Sequence, residues 1–257
     1  MADFDPTTPS IARVYDYWLG GKDNFAADRE LAERLNDLVP STPVTLRENK
    51  AFLRLAVSWV ASQGIRQFID LGAGMPTAPA THETAQAVGS GVRVVYVDND
   101  PVVLSHLNAL AAVGNPGVTV VDGDVREPDT ILPAVAQGID LDKPACLIMG
   151  SLLHFSAPET ARELVARYTA PLAAGSYLIL SVGIASGEAA KRFVRMYSEG
   201  PTKLYQHSPE DFATFFGPLE LLPPGVADAR TWRPGLTELP TPTPREGWMA
   251  VGIARVG

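Results

Sequence analysis

Gln67-Phe68-Ile69-Asp70-Leu71-Gly72-Ala73-Gly74 is the stretch on which the reading of this chain turns. Gln67–Leu71 predicts a short apolar strand that ends in an acid, and the two glycines behind it predict a turn. Glycine has no side chain and tolerates unusual φ, so backbone can approach another group closely there. The same plan recurs downstream. A strand over 93–97 runs into Asp98-Asn99-Asp100-Pro101, and a strand over 118–121 runs into Asp122-Gly123-Asp124. Apolar runs at 145–150 and 177–182 add two more strands. Helical spacing fills the intervals 78–88, 101–113, 130–137 and 158–172, with Ser156 and Glu159 forming a capping-box pattern ahead of the last. Strands that alternate with helices imply βαβ units, hence an α/β fold whose parallel sheet is covered on both faces.

The flanks read differently. Residues 1–64 are helical throughout. Ser10 caps a helix over 11–19 that Gly20-Gly21 ends, and Asp23 or Asn24 caps a second that Pro40 closes. A third runs from about 44 to 63, with Gly64 as its stop. At the other end, 187–198 and 209–216 read as helices, the second capped by Ser208 and Asp211. Residues 219–222 and 248–256 read as late strands. The Pro-rich stretch 223–247 between them is too long for a neutral connector, so it is expected to be functional or mobile. The organisation is a helical cap or lid over 1–64 and a core over 65–257, one structural domain overall.

Composition narrows the class. The chain has 257 residues, 46% hydrophobic and 19% charged, and a formal charge of −8, so a sizeable core is available. The basic residues of 11–54 are interleaved with about as many acids, which describes a solvated helical surface, so no nucleic-acid partner is expected. The single cysteine, Cys146, lies in an apolar run and reads as a buried structural thiol. The first ten residues lack the apolar segment of a signal peptide, and no apolar run approaches the roughly 20 residues of a membrane span. No membrane association and a cytoplasmic location are expected. His82, His106 and His207 have no ligand spacing, so no metal is expected.

In an open parallel sheet, ligands sit beyond the carboxyl ends of the strands. Three carboxylates there point to a ligand rich in donors. A dinucleotide would set its pyrophosphate on the glycine turn at a helix N-terminus, against the like charge of Asp70, and Thr77 stands where the third glycine of the dinucleotide fingerprint belongs. S-adenosylmethionine (SAM) has no phosphate and offers an ammonium, a sulfonium, a ribose diol and an adenine amine. Asp98 suits the diol, Asp124 the adenine amine, and Asp70 the ammonium side, directly or through water. Asp100, followed by Pro101, reads as a helix cap. The candidate cofactor-binding set is Asp70, Gly72, Ala73, Gly74, Asp98, Asn99, Asp124, Val125 and Ser151. His154, after the fourth strand, is a candidate general base or a structural histidine of the pocket wall.

Asp70-Leu-Gly-Ala-Gly74, Val95-Tyr-Val-Asp98 and Asp122-Gly-Asp124 resemble the motifs of class I SAM-dependent methyltransferases. More narrowly, Ala12-Arg-Val-Tyr-Asp-Tyr17, Leu19-Gly-Gly-Lys-Asp-Asn-Phe25, Gly64 to Gly72, Val94 to Pro101 and Leu152-Leu-His-Phe155 resemble an actinobacterial family of S-adenosyl methyltransferases, long carried as a domain of unknown function. The resemblance covers nearly the whole chain. It implies a Rossmann-like, seven-stranded sheet with a reversed final hairpin, SAM as cofactor with S-adenosylhomocysteine as product, and helices 1–64 closing over the ligand with Tyr17 or Tyr15 against it, which adds Tyr17 to the cofactor-binding set. It implies no particular acceptor; a small molecule is the expectation. The reaction is direct displacement on the methyl carbon, for which the protein mainly supplies proximity and orientation. The alternatives are a SAM-binding protein without catalysis and an NAD(P)-dependent oxidoreductase.

Overall fold

A computed structural model describes residues 5–112, 115–185, 187–199, 202–236 and 239–257. Residues 1–4 of the acidic N-terminus and Val113, the expected end of the helix from Pro101, lie outside them. The strands are β1 Gln67–Leu71, β2 Arg93–Asp98, β3 Val118–Asp122, β4 Cys146–Gly150, β5 Tyr177–Ala185, β6 Glu220–Leu221, β7 Ala227–Asp228 and β8 Gly247–Arg255. The helices are α1 Ile11–Trp18, α2 Ala26–Leu38, α3 Thr42–Ser62, α4 Thr81–Gln86, α5 Pro101–Ala112, α6 Pro128–Gly138, α7 Pro158–Thr169, α8 Gly187–Tyr197 and α9 Pro209–Thr214.

The strands form one sheet in the order β3-β2-β1-β4-β5-β8-β6, with β7 also paired to β8. The first five are mutually parallel, and β8 runs antiparallel to β5 from Tyr177↔Arg255 to Ala185↔Gly247. The sheet has eight strands rather than the expected seven. The strand expected over 219–222 is reduced to Glu220–Leu221, and a second two-residue strand, Ala227–Asp228, meets β8 farther along. Pro223 and Pro224 separate them, and neither has an N–H to continue a ladder.

Side chains alternate across the pleat and feed two cores. Ile69, Leu71, Val95, Leu147 and Leu178 face α6, α7 and α9, whereas Phe68, Tyr96, Cys146, Ile148 and Ile179 face α3 and α5. Cys146 is fully buried, and burial pushes its thiol well above the usual range. The Pro-rich stretch is more than a connector: Trp232 is 1% exposed and meets the Phe52 ring edge-on at 5.2 Å.

The helical N-terminal region divides by packing. Phe52, Ala56, Val57 and Val60 of α3 join the sheet core. Val14 and Trp18 of α1, Ala32 and Leu35 of α2, Leu46 and Tyr197 form a separate cluster. Asp28 organises this cluster. Fully buried, it accepts from Arg13 Nε at 2.9 Å and from the backbone N–H groups of Ser10 and Phe25 at 2.8 Å each.

The caps sharpen or correct the sequence reading. Ser208 and Asp211 cap α9 reciprocally, at 3.0 Å each way. The α2 N-cap is Phe25 rather than Asp23 or Asn24, because Asp28 reaches back to its N–H. Ser10 stands at the α1 N-cap, yet its hydroxyl bonds Asp100 instead of the helix. Ala157, not Ser156, caps α7, so the box at 156 and 159 falls one residue out of register.

Candidate functional site

β1 lies between β2 and β4, and the connections leave it on opposite sides, which opens a crevice at the carboxyl ends of β1, β2 and β4. A cavity of about 580 Å³ fills it, roofed by α1 and walled by α3. That volume lies in the ordinary range for small-ligand sites, roughly 300–1,000 Å³.

The floor is the glycine turn. Gly72 and Gly74 have φ of +63° and +64°, the left-handed region that only glycine occupies without strain. A Cβ on Gly72 would stand 2.7 Å from Leu152 Cδ1, whereas one on Gly74 would meet nothing within 4 Å, so Gly74 faces open cavity. Asp98 is 8% exposed and holds this floor in place. One oxygen accepts from Gly74 N–H at 2.8 Å, and the other from the N–H groups of Asn99 and Asp100 at 2.9 and 3.0 Å. Burial raises its pKa, against the pull of these N–H donors. Asp100 caps α5 through Val102 N–H at 2.8 Å, as its position before Pro101 requires.

Opposite the floor lies a buried polar trio. Asn49 of α3 donates to Ser151 Oγ at 2.8 Å and to Tyr15 OH at 3.2 Å. Asn49 is 0% exposed, and its Oδ1 has no partner among the described residues. Ser151 holds φ at +55°, the one non-glycine residue described with positive φ. Backbone in this sparsely populated region often marks a ligand site. Asp16, 4% exposed, also lines the cavity and accepts from Asp23 N–H and Asn24 Nδ2 at 3.0 and 2.9 Å. The Gly20-Gly21 bend wraps around it so tightly that a Cβ on Gly21 would lie 1.9 Å from Asp16 Oδ1.

Of the residues singled out in the sequence, Gly72, Ala73, Gly74, Asp98, Asn99, Val125 and Ser151 line this cavity. Four do not. Asp70 shares the pleat face of Phe68 and Tyr96. It points behind the glycine turn, where it accepts from Thr81 Oγ1 at 2.7 Å. Desolvation raises its pKa to about 6, against the pull of Thr81 and Lys50. Asp124 turns outward and pairs with Arg126. Tyr17 bonds Glu33 on the outer side of α1, and Tyr15, one-half turn away, takes the inward position. His154 lies in a neighbouring apolar pocket. Burial there depresses its pKa to about 3, too weak for a general base at neutral pH. Asn49 lines the cavity without having been singled out in the sequence. Asn49 shares a helix face with Leu46, Phe52 and Ala56, and a polar residue at such an apolar position is the signal that was available.

The residues present fit SAM. Asp98 and the orphaned Asn49 Oδ1 are acceptors, and the open face at Gly74 admits a ligand against backbone. A dinucleotide fits poorly: α4 begins at Thr81, seven residues past Gly74, so the turn carries no helix N-terminus for a pyrophosphate. The acidic side chain of Glu83 already occupies the start of α4, accepting from Ala80 N–H at 2.7 Å.

Comparison with known proteins gives the same answer independently. A candidate methyltransferase from Thermobifida fusca YX is 40% identical over 97% of this chain and 96% of its own, with a TM-score of 0.90. A DUF574 family protein from Streptomyces avermitilis MA-4680 is 35% identical over 98% and 99%, with a TM-score of 0.91. Human N-acetylserotonin methyltransferase, solved with SAM, is 13% identical over 98% of this chain and 63% of its own. Its TM-score of 0.50 is a likeness of fold alone. No curated protein matches the chain. Among the described residues, no helix is long and apolar enough to cross a membrane. The family model for S-adenosyl methyltransferases matches residues 1–257, and the chain belongs to that family of SAM-dependent methyltransferases.

Proposed function

We propose that this methyltransferase acts on a small-molecule acceptor, and that the 580 Å³ cavity holds SAM with Asp98 on the ribose diol. One observation carries the reading. Asp98 is the buried carboxylate of the cavity floor, and its three backbone donors fix it at the end of β2 before any ligand arrives. Three of its roughly four lone-pair sites are taken, so Oδ2, which accepts only Gly74 N–H, keeps one for a ligand hydroxyl. Gly74 lets the ligand lie against the backbone, Ala73, Asn99 and Val125 supply the remaining wall, and Asn49 Oδ1 with Ser151 takes the ammonium end. Asp70 is a positioning residue. It holds Thr81 and shares its surroundings with Lys50 behind the turn, which fixes the strand end that presents Gly72.

Bound SAM supplies an already activated methyl group, so the chain's own task is to orient two reactants and exclude water. The roof of α1, with Ile11 and Tyr15 over the cavity, does the excluding. Neutral His154 takes no proton in this scheme. The proton of a hydroxyl or amine acceptor passes to water as the methylated product leaves the cavity.

An acceptor enclosed under helices is small, and the interleaved charges outside them give a nucleic-acid phosphate track no footing. The test is transfer of isotope-labelled methyl from SAM into separated fractions of a bacterial extract. Label is expected in the low-molecular-mass organic fraction. Label in DNA or RNA, with binding that weakens steeply in salt, would overturn the small-molecule assignment.

A further inference from the structure

We infer that the side cavity behind Tyr15 and Phe155 binds the methyl acceptor, and that this acceptor is a flat, uncharged aromatic compound about one ring deep bearing a hydroxyl group. The inference rests on the main cavity being the SAM site.

Position comes first. Ile11, Tyr15, Ser151 and Phe155 line both cavities, so the two spaces share a wall at the carboxyl end of β4. A ligand in the side cavity therefore lies next to one in the main cavity, as a displacement between two bound molecules requires.

The lining decides the chemistry. Four aromatic rings follow one another with nearly parallel planes. Phe155 and Tyr197 are 6.1 Å apart at 28°, Tyr197 and Phe193 6.1 Å at 23°, and Phe193 and Trp18 6.4 Å at 22°. Offset stacking on such a row favours another flat ring. The free volume is about 150 Å³; a dry apolar cavity on the order of 150 Å³ takes a benzene-sized molecule. Among the described residues no Lys, Arg, Asp or Glu lines it, so a charged ligand would lose its hydration without a counter-charge.

Two polar atoms in this apolar wall have no partner among the described residues: the indole N–H of Trp18 and Nδ1 of His154. Trp18 is 6% exposed. Buried polar atoms in folded proteins are seldom left unpaired, and those that are call for a ligand, a water or a functional reason. The indole offers only a donor, and the neutral imidazole nitrogen can accept. A hydroxyl group can accept from the indole or donate to the imidazole nitrogen, and the same group is a nucleophile toward a methyl cation donor.

Gly183 gives a clean test. It lines the side cavity and not the main one, its φ is ordinary for a strand, and an added Cβ would meet only Met249 Sδ, at 3.9 Å. The protein is saturated with S-adenosylhomocysteine and titrated calorimetrically with p-cresol and with 4-methylbenzoate, which carries the same ring and a charge. p-Cresol is expected to bind, and 4-methylbenzoate about tenfold or more weakly. Gly183→Leu should weaken p-cresol by about tenfold or more and leave S-adenosylhomocysteine affinity unchanged. Val194→Trp, on the α8 wall, makes the same comparison should Gly183→Leu fail to fold. If S-adenosylhomocysteine binds but p-cresol does not, or if p-cresol binds both filled variants as it binds the wild type, the acceptor assignment is overturned. If S-adenosylhomocysteine itself does not bind, the fault lies in the assignment of the main cavity.

Discussion

The ends of β1 and β2 and the ends of β4 and β5 border neighbouring cavities, yet they are built from opposite materials. The first pair contributes glycines and a carboxylate held by backbone N–H groups. The second borders a row of rings brought by α1, α8 and the turn after β4. A fixed acceptor on rigid strand ends recognises one ligand by its donors, and nearly any change there removes it. A wall of stacked rings recognises flatness and size, and tolerates exchange of one apolar group for another. The proposed cofactor side is thus the constrained half of the molecule and the other side the adaptable half.

The largest effect that would break this contrast concerns Asp98. S-Adenosylhomocysteine at about 100 times its dissociation constant adds about 2.7 kcal/mol, a rise in the unfolding midpoint of roughly 5–10 °C for a chain of this size. Asp98→Ala should abolish most of that rise in thermal unfolding with and without the ligand. An undiminished rise would remove Asp98 from the site.

Next come the two glycines. Gly72→Ala combines a left-handed φ with contact on Leu152, at a cost of about 2–3 kcal/mol. Gly74→Ala has the same φ and open space, so it should lose only about 1 kcal/mol of stability. Urea midpoints that place the two variants level would show that the turn relaxes more freely than the floor requires.

The pH dependence separates Asp70 from His154, because their signs are opposite. Asp70 has a folded-state pKa of about 6, above its ordinary 3.8. The folded chain holds that proton more tightly, so this carboxyl contributes stability at low pH that is lost as pH rises from about 4 through 6. Asp70→Asn should gain on wild type across that window. His154, lowered to about 3 from 6.5, behaves conversely: its contribution is present above about 6.5 and lost as pH falls toward 3. Denaturant titrations of Asp70→Asn and His154→Gln between pH 4 and 7 should diverge in opposite directions. Parallel curves would contradict the burial of one or the other.

The smallest effect belongs to the residues that turn away. Asp124→Asn and Tyr17→Phe remove contacts on the solvent side, worth about 0.5 kcal/mol or less. S-Adenosylhomocysteine affinity should stay within about twofold in both. A larger loss for Asp124→Asn would mean that its carboxylate leaves Arg126 for the ligand.

The same contrast explains what the sequence made legible. The glycine turn and Asp98 are written in two short runs, because strand end, turn and carboxylate are contiguous in the chain. β1 was delimited to the residue and β2 and β3 to within one. The side cavity draws on residues near 11–18, 39–46, 151–155, 183–206 and 247–249, far apart in the chain, so no local pattern announces it. Asp70 and Asp124 misled for a related reason. An acid at a strand end is expected to face the crevice, but the pleat alternation sends Asp70 behind the turn, and an arginine two residues on claims Asp124. The choice between Tyr15 and Tyr17 was a matter of helical phase, which Val14 and Trp18 decide by packing in the extension's own cluster.

The bond between the Ser10 hydroxyl and Asp100 joins residues 90 apart in sequence. Asp100 is in place only once β2 and α5 have formed around it. The first helix docks on α2 through Arg13 and Asp28 without the sheet, and this bond ties that helix pair to the sheet only once the sheet is largely assembled. Closing so long a loop costs entropy that a single part-buried hydrogen bond does not recover. In local opening, the α1–α2 pair is accordingly expected to come away from the sheet as one unit.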